Sequence, residues 1–204
     1  DSNGALAFRS GAGSEAMRID SSGRLMLGTT TEGKEEADNL TIADSGDCGL
    51  TLRSGTSNYG AIYFSDATSG AGEYDGFFDY HHGSRYFRFG TAQAERMRID
   101  SSGNMGLGTT SPGERLHIAA SSPAVLIEAT DTSSGESKVQ LGKTGNTNVG
   151  EIKYSHSDNS LSFRVNDGEK ARIDSSGRLL VGSTSNLAPD GFASKIQTAG
   201  TDYQ

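Results

Sequence analysis

One thirteen-residue phrase is written three times in this chain: RIDSSGRLMLGTT at Arg18–Thr30, RIDSSGNMGLGTT at Arg98–Thr110 and RIDSSGRLLVGST at Arg172–Thr184. The copies begin at positions 18, 98 and 172, so they stand 80 and then 74 residues apart. A module copied in tandem predicts an elongated, quasi-one-dimensional protein whose units meet mainly their neighbours. The phrase carries turn chemistry and apolar alternation but no catalytic pattern, so its repetition argues for a structural unit.

The likeness runs beyond the phrase. Gly76–Arg98 aligns without gaps on Gly150–Arg172, pairing Tyr80 with Tyr154, His82 with His156 and Phe89 with Phe163. Leu40–Ala43 (LTIA) matches Leu116–Ala119 (LHIA). Leu6–Phe8 with Met17–Ile19 resembles the end of such a module, and Lys195–Gln197 the start of another. The expected division is 1–30 as the end of a preceding β module, 31–110 and 111–184 as complete β modules, and 185–204 as the start of a further one. A chain that starts inside a module is expected to be a piece of something longer.

Within a module the apolar period is two. Leu50 and Leu52, Ile62 and Phe64, Phe78 and Tyr80, Phe87 and Phe89, Met97 and Ile99 each sit two apart. The second copy repeats this with Val139 and Leu141, Ile152 and Tyr154, Leu161 and Phe163, Leu179 and Val181. Short alternating runs bounded by Gly, Ser, Asp and Asn predict half-buried strands in hairpins. Glu32–Asn39 has room for one helical turn, and no longer amphipathic helix is expected. The phrase itself reads as a hairpin, with Met17 and Ile19 facing one way and Leu25 and Leu27 returning the chain. Its turn rests on Asp20 and Gly23, repeated as Asp100 and Gly103 and as Asp174 and Gly177. An Asp at the first position bonds the backbone ahead of it, and Gly at the fourth takes a positive φ without steric cost.

Leu, Ile, Val and Phe together make 36 of 204 residues, below the one-fifth level at which disorder becomes a live alternative. Fixed alternation argues against disorder and for an ordered β protein too poor in apolar mass to build a thick core alone. Such a chain can complete its core by oligomerising. The net charge of −8 disfavours nucleic acid as a partner, since that role calls for a basic stripe. With Cys48 as the one cysteine no intrachain disulfide is possible, and a small strand side chain is its expected role. No run of about 18 apolar residues marks a membrane span.

The phrase RIDSSG, followed by GLGTTSP and then by LHI at Leu116–Ile118, resembles the repeat modules of bacteriophage tail fibres. The family pattern runs close to R-I-D-S-S-G-N-V-G-I-G-T-T-S-P and then L-H-V; Arg98–Pro112 matches it best. Arg24 and Arg178 stand where that pattern has Asn, and Pro is absent at 32 and 186. The resemblance implies an all-β, intertwined homotrimeric fibre of tandem β-hairpin modules on the tail of a virion. It implies partners among other tail or baseplate proteins and a host-surface glycan or protein receptor. Three chains wound about one axis would pair otherwise unpaired strand edges. Each strand sets Arg18, Arg98 or Arg172 beside the aspartate two positions on. The expectation across a threefold axis is an inter-chain Arg–carboxylate pair at each level, the alternative being a solvated Arg–Asp pair.

Other motifs weigh less. Gly28–Lys34 has the spacing of a phosphate loop, but Glu35 stands where a magnesium-binding Ser or Thr is needed. His81 and His82 suggest a threefold metal site, yet the aligned module keeps only His156, which favours stacking or surface histidines. No cofactor is expected. The aromatic maximum is Tyr74–Phe89; Phe78, Tyr80, Phe87 and Phe89 follow the apolar pattern and are expected in the core. Tyr74, Phe77 and Tyr86 fall off that pattern and are the candidates for glycan or receptor contact. Acidic residues lie scattered at turns, without a pair placed for general acid and base work, so the expectation is a non-enzymatic structural and adhesive protein. The alternatives are a tailspike-type polysaccharide depolymerase segment and a bacterial surface adhesin.

Overall fold

The computed structural model describes residues 4–11, 13–131 and 133–182; the further module start expected at 185–204, with Lys195–Gln197, lies outside them. The chain is all-β and divides into two compact units, Asp1–Pro123 and Ala124–Gln204. The first unit holds two open sheets and the second holds one.

The first sheet runs β1 (Leu6–Ser10), β2 (Ser14–Ile19), β3 (Leu25–Leu27), β4 (Leu40–Ile42) in spatial order. The second contains β5 (Tyr59–Phe64), β6 (Gly76–His81), β7 (Tyr86–Thr91), β8 (Ala94–Ile99), β9 (Met105–Leu107) and β10 (Leu116–Ile118), again as sequential neighbours. The third contains β11 (Glu136–Lys143), β12 (Asn146–Ser155), β13 (Ser160–Val165), β14 (Gly168–Ile173) and β15 (Leu179–Val181). Glu35–Ala37 and Gly70–Tyr74 form short 3-10 turns. All pairings are antiparallel except two: β4 lies parallel to β3, and β10 parallel to β9. The strand after each linker therefore belongs to the sheet before the linker. Of the alternating pairs read from sequence, Leu50 and Leu52 alone fall outside any strand.

Each phrase sits beside the same bulge. Opposite β1 the register steps from Phe8 with Met17 to Arg9 with Glu15, leaving Ala16 as the extra residue. Arg96 and Lys170 are the extra residues in β8 and β14. A bulged residue loses its place in the ladder, and here its carbonyl is taken by the glycine that leaves the hairpin. Gly28, Gly108 and Gly182 donate their N–H groups to Ala16, Arg96 and Lys170 at 3.0, 2.9 and 2.9 Å. All three glycines have φ of 72°. A side chain is also excluded sterically: a Cβ on Gly28 would lie 2.1 Å from the Ala43 carbonyl oxygen, and one on Gly108 2.2 Å from that of Ala119. The glycine of the exit thus ties the bulge to the parallel strand that closes the sheet.

Little apolar surface is buried within the sheets. Among the described residues the buried apolar side chains are Ala5, Met26 and Phe77. In the third sheet the register puts Val139, Ile152, Phe163, Ala171 and Val181 in one row, and Tyr154, Leu161, Ile173 and Leu179 in the next. These rows form one face, because paired strand residues point the same way. In the second sheet the same face carries Ile62, Phe78, Phe89, Met97, Leu107 and Ile118, then Tyr80, Phe87, Ile99, Met105 and Leu116. The four aromatics expected as core lie here, but Phe87 and Phe89 stay 40% and 38% exposed because, among the described residues, only the Leu50–Leu52 segment borders the face.

Candidate functional site

The turn of the phrase has one geometry in all three copies. Asp20 accepts the N–H groups of Ser22 and Arg24 on Oδ1 at 2.9 and 3.0 Å, and its carbonyl accepts from Gly23, whose φ is 82°. Asp100 and Asp174 accept the corresponding N–H groups at 2.8–3.0 Å, with Gly103 at φ 79° and Gly177 at 77°. The fifth residue completes the lock from its side chain. Arg24 Nε donates to Asp20 Oδ2 and Arg178 Nε to Asp174 Oδ2, each at 2.7 Å, while Asn104 Nδ2 donates to Asp100 Oδ2 at 3.3 Å. The Arg24 backbone N–H, then its guanidinium, holds the Asp20 carboxyl below its ordinary value. The Asn104 N–H leads for Asp100, and the Arg178 side chain leads for Asp174. These contacts fix a turn.

Within the chain the repeated arginines pair with glutamates of their own strand. Arg18, Arg98 and Arg172 reach back three residues to Glu15, Glu95 and Glu169 rather than forward to the turn aspartates. Each pair is bidentate; Arg98 donates to Glu95 at 2.5 and 2.8 Å, and Arg172 to Glu169 at 2.6 and 2.8 Å. The bulge places both side chains on one face, and the turn backbone already occupies the aspartate. The spacing Glu-x-x-Arg stands in all three copies, a signal the sequence offered.

The opposite face of the second sheet is polar, aromatic and self-satisfied. Asp79, 2% exposed, accepts a fork from Arg88 at 3.0 and 2.8 Å. The Arg88 guanidinium lies 4.7, 5.2 and 5.8 Å from the rings of Tyr59, Phe77 and Tyr86, and Arg98 lies 4.4 Å from Tyr86. Such stacked cations add attraction to the ring faces. Removing Arg88 would leave a buried unpaired carboxylate, a loss of about 3–5 kcal/mol. The Tyr59 and Tyr86 hydroxyls meet at 2.9 Å, and burial, then the Tyr59 bond, pushes the Tyr86 phenol up. His81 stacks on Tyr86 at 5.2 Å and takes the Ser84 N–H on Nδ1, whereas His82 meets Tyr80 edge-on.

Phe77 and Tyr86 thus share this face, while Tyr74 ends the 3-10 turn before β6 and is 44% exposed. Phe77 is 8% exposed because its ring fills the space over Gly90, where a Cβ would lie 2.0 Å from Cε1. Arg88 covers it further, so Phe77 has no free face for a ligand. Tyr59 and Tyr63, 40% and 56% exposed, are tyrosines that the off-pattern reading did not single out; the Tyr59 ring is held by Arg88 and by His81 at 4.4 Å, whereas Tyr63 is the more open of the two. Period two could have found them, since their register places them with His81 and Phe77 on the polar face. The Gly28 amide is engaged with Ala16, which removes it from any phosphate cradle.

Comparison with protein-family models and with curated proteins finds no match to this chain. No helix among the described residues is long and apolar enough to cross a membrane.

Proposed function

We propose that this chain is a structural and adhesive segment of a homotrimeric, intertwined phage tail fibre that supports attachment to the host cell surface. One observation carries the reading: the polar side of the second and third sheets is closed by its own ion pairs, while the apolar side is open. A strand residue covers about 16 Å² of a sheet face, so each of these two sheets presents about 500 Å². The largest apolar patch on an ordinary monomer is about 300–600 Å², and a stable partner covers about 800 Å². Each face is within the upper range of what an ordinary monomer leaves open, and each unit carries one. Because the modules repeat, a second copy offers surfaces of the same kind. The repeated RIDSSG and GTTSP phrases support the tail-fibre reading, with other tail or baseplate proteins as neighbours and a location on the virion.

Adhesion then comes from the outward polar faces and their exposed tyrosines. Aromatic rings can stack on sugar rings, which makes Tyr63 and Tyr74, 56% and 44% exposed, the first contacts to try against a surface glycan. Three copies reinforce weak contacts by avidity. Sedimentation equilibrium at micromolar concentration is expected to give about 64 kDa, three chains of 21.3 kDa. A folded monomer at that concentration overturns the reading. Oligosaccharides released from host capsule or lipopolysaccharide would replace the adhesive role with a depolymerase.

A further inference from the structure

We propose that two irregular segments, Leu50–Arg53 and Ala124–Glu128, are strands in the assembled protein, each hydrogen-bonded to a neighbouring copy of this chain. The inference rests on the homo-oligomeric reading above and names the residues that cross between copies.

Four observations carry it. First, the segments recur at the same place. Leu50 follows Ile42 of β4 by eight residues, and Leu126 follows Ile118 of β10 by eight. Second, their apolar residues face solvent: Leu50 is 63% exposed, Leu52 45%, Val125 68%, Leu126 83% and Ile127 42%. Third, among the described residues no backbone N–H or C=O of Leu50–Arg53 or Ala124–Glu128 has a hydrogen-bond partner. Exposed apolar residues, alternating at Leu50 and Leu52 and consecutive at Val125–Ile127, on a free backbone are the makings of a strand that lacks only a neighbour. Fourth, Ser54 Oγ is buried without a partner at the end of the first segment, a state that folded proteins rarely leave uncorrected.

The first segment also shapes a half-filled groove. Leu50 and Leu52 border a 400 Å³ apolar hollow with Ile62, Phe78, Tyr80 and Phe87 on the open side of the second sheet. Leu52 packs over Gly60 of β5 without a backbone bond to it. The occupant that fits is a second copy, because each chain carries both the uncovered sheet face and the unpaired apolar segment. A head-to-tail contact of that kind closes into a ring when the rotation allows.

The test uses the full chain with Leu50→Lys and Leu126→Lys. Both side chains are exposed in the single chain, so the sheets themselves should keep their circular dichroism. Expected is a fall in sedimenting mass from about 64 kDa to 21.3 kDa at equal micromolar concentration, with the dissociation constant raised at least about 100-fold, while Leu126→Met assembles normally. Native hydrogen exchange of the wild-type assembly should find the amides of Leu50–Arg53 and Ala124–Glu128 protected. Wild-type assemblies whose Lys variants assemble equally well, or whose segment amides exchange freely, overturn this inference alone. A monomeric wild type overturns the homo-oligomeric reading and this inference with it.

Discussion

Replacing Gly108 by alanine separates the two demands that the exit glycine meets. The first demand is conformational: at φ 72° an L-residue costs about 1–2 kcal/mol. The second is steric, since the new Cβ would stand 2.2 Å from the Ala119 carbonyl oxygen. Backbone must move to relieve that contact. The movement disturbs the Ala119 N–H bond to Leu107 and the Gly108 N–H bond to Arg96, both 2.9 Å. At about 1 kcal/mol net for each bond, the variant should lose about 3–4 kcal/mol in all. Gly103→Ala is the control, because φ there is 79° and its nearest contact is the movable end of Arg115 at 3.3 Å. It should lose about 1–2 kcal/mol. The difference of about 2 kcal/mol corresponds to about 1 M in urea midpoint for a small unit. Urea unfolding followed by tyrosine fluorescence measures it, and exchange at the Ala119 amide locates it. Equal losses in the two variants would show that the glycine serves φ alone and that the bulge, exit and parallel strand are not mechanically joined.

Two further outcomes follow from the turns. The hairpin loops Ala92–Gln93 and Asn166–Asp167 each hold two residues at positive φ, the arrangement that favours Asn-Gly. Ala92→Asn with Gln93→Gly should therefore stabilise the second sheet by about 1 kcal/mol, seen as a higher urea midpoint, whereas Asn166→Ala should lower that of the third. The turn aspartates give a pH dependence of known sign. Their folded values lie below the unfolded one near 3.9, so the unfolded chain binds protons more readily. Their contribution is then complete above about pH 4 and lost as pH falls through the folded values. Carboxyl-carbon NMR should place all three midpoints below that of an ordinary aspartate; a midpoint at or above 3.9 for any of them contradicts the turn geometry.

Local chemistry is what made parts of this fold legible. Alternation of Ile62 with Phe64 or Leu161 with Phe163 marked strands, because each strand's partner lies one hairpin away. Asp-Ser-Ser-Gly marked the turn, because all its bonds close within five residues. Parallel β4 and β10 were hidden: three residues give no periodicity, and their partner lies across a linker. The Glu-x-x-Arg spacing stood in the sequence, but the bulge that turns it into a pair did not show there: plain alternation sets residues three apart on opposite faces, and the bulge brings them onto one. Phe77 misled for a related reason. Its off-pattern position suggested an exposed ring, but its burial depends on Gly90, which lies across the sheet thirteen residues on.

The two faces divide the physical work in a way that sequence alone cannot assign. On the polar side, Asp79 with Arg88 and Glu95 with Arg98 are paired within the chain, so that surface can meet water or a ligand without a protein partner. On the apolar side nothing is finished: Phe87, Phe89, Ile152 and Val181 all remain more than a third exposed. Among the described residues the core is nearly confined to Met26, Phe77 and Ala5, and so small a core gains little from hydrophobic burial alone. The chain's stability should then depend on concentration, with folding and assembly joined as in obligate oligomers. Dilution from micromolar to nanomolar is the natural measurement: the thermal midpoint should fall steadily for the assembled protein, and a midpoint independent of concentration would mean that the sheets stand without their neighbours.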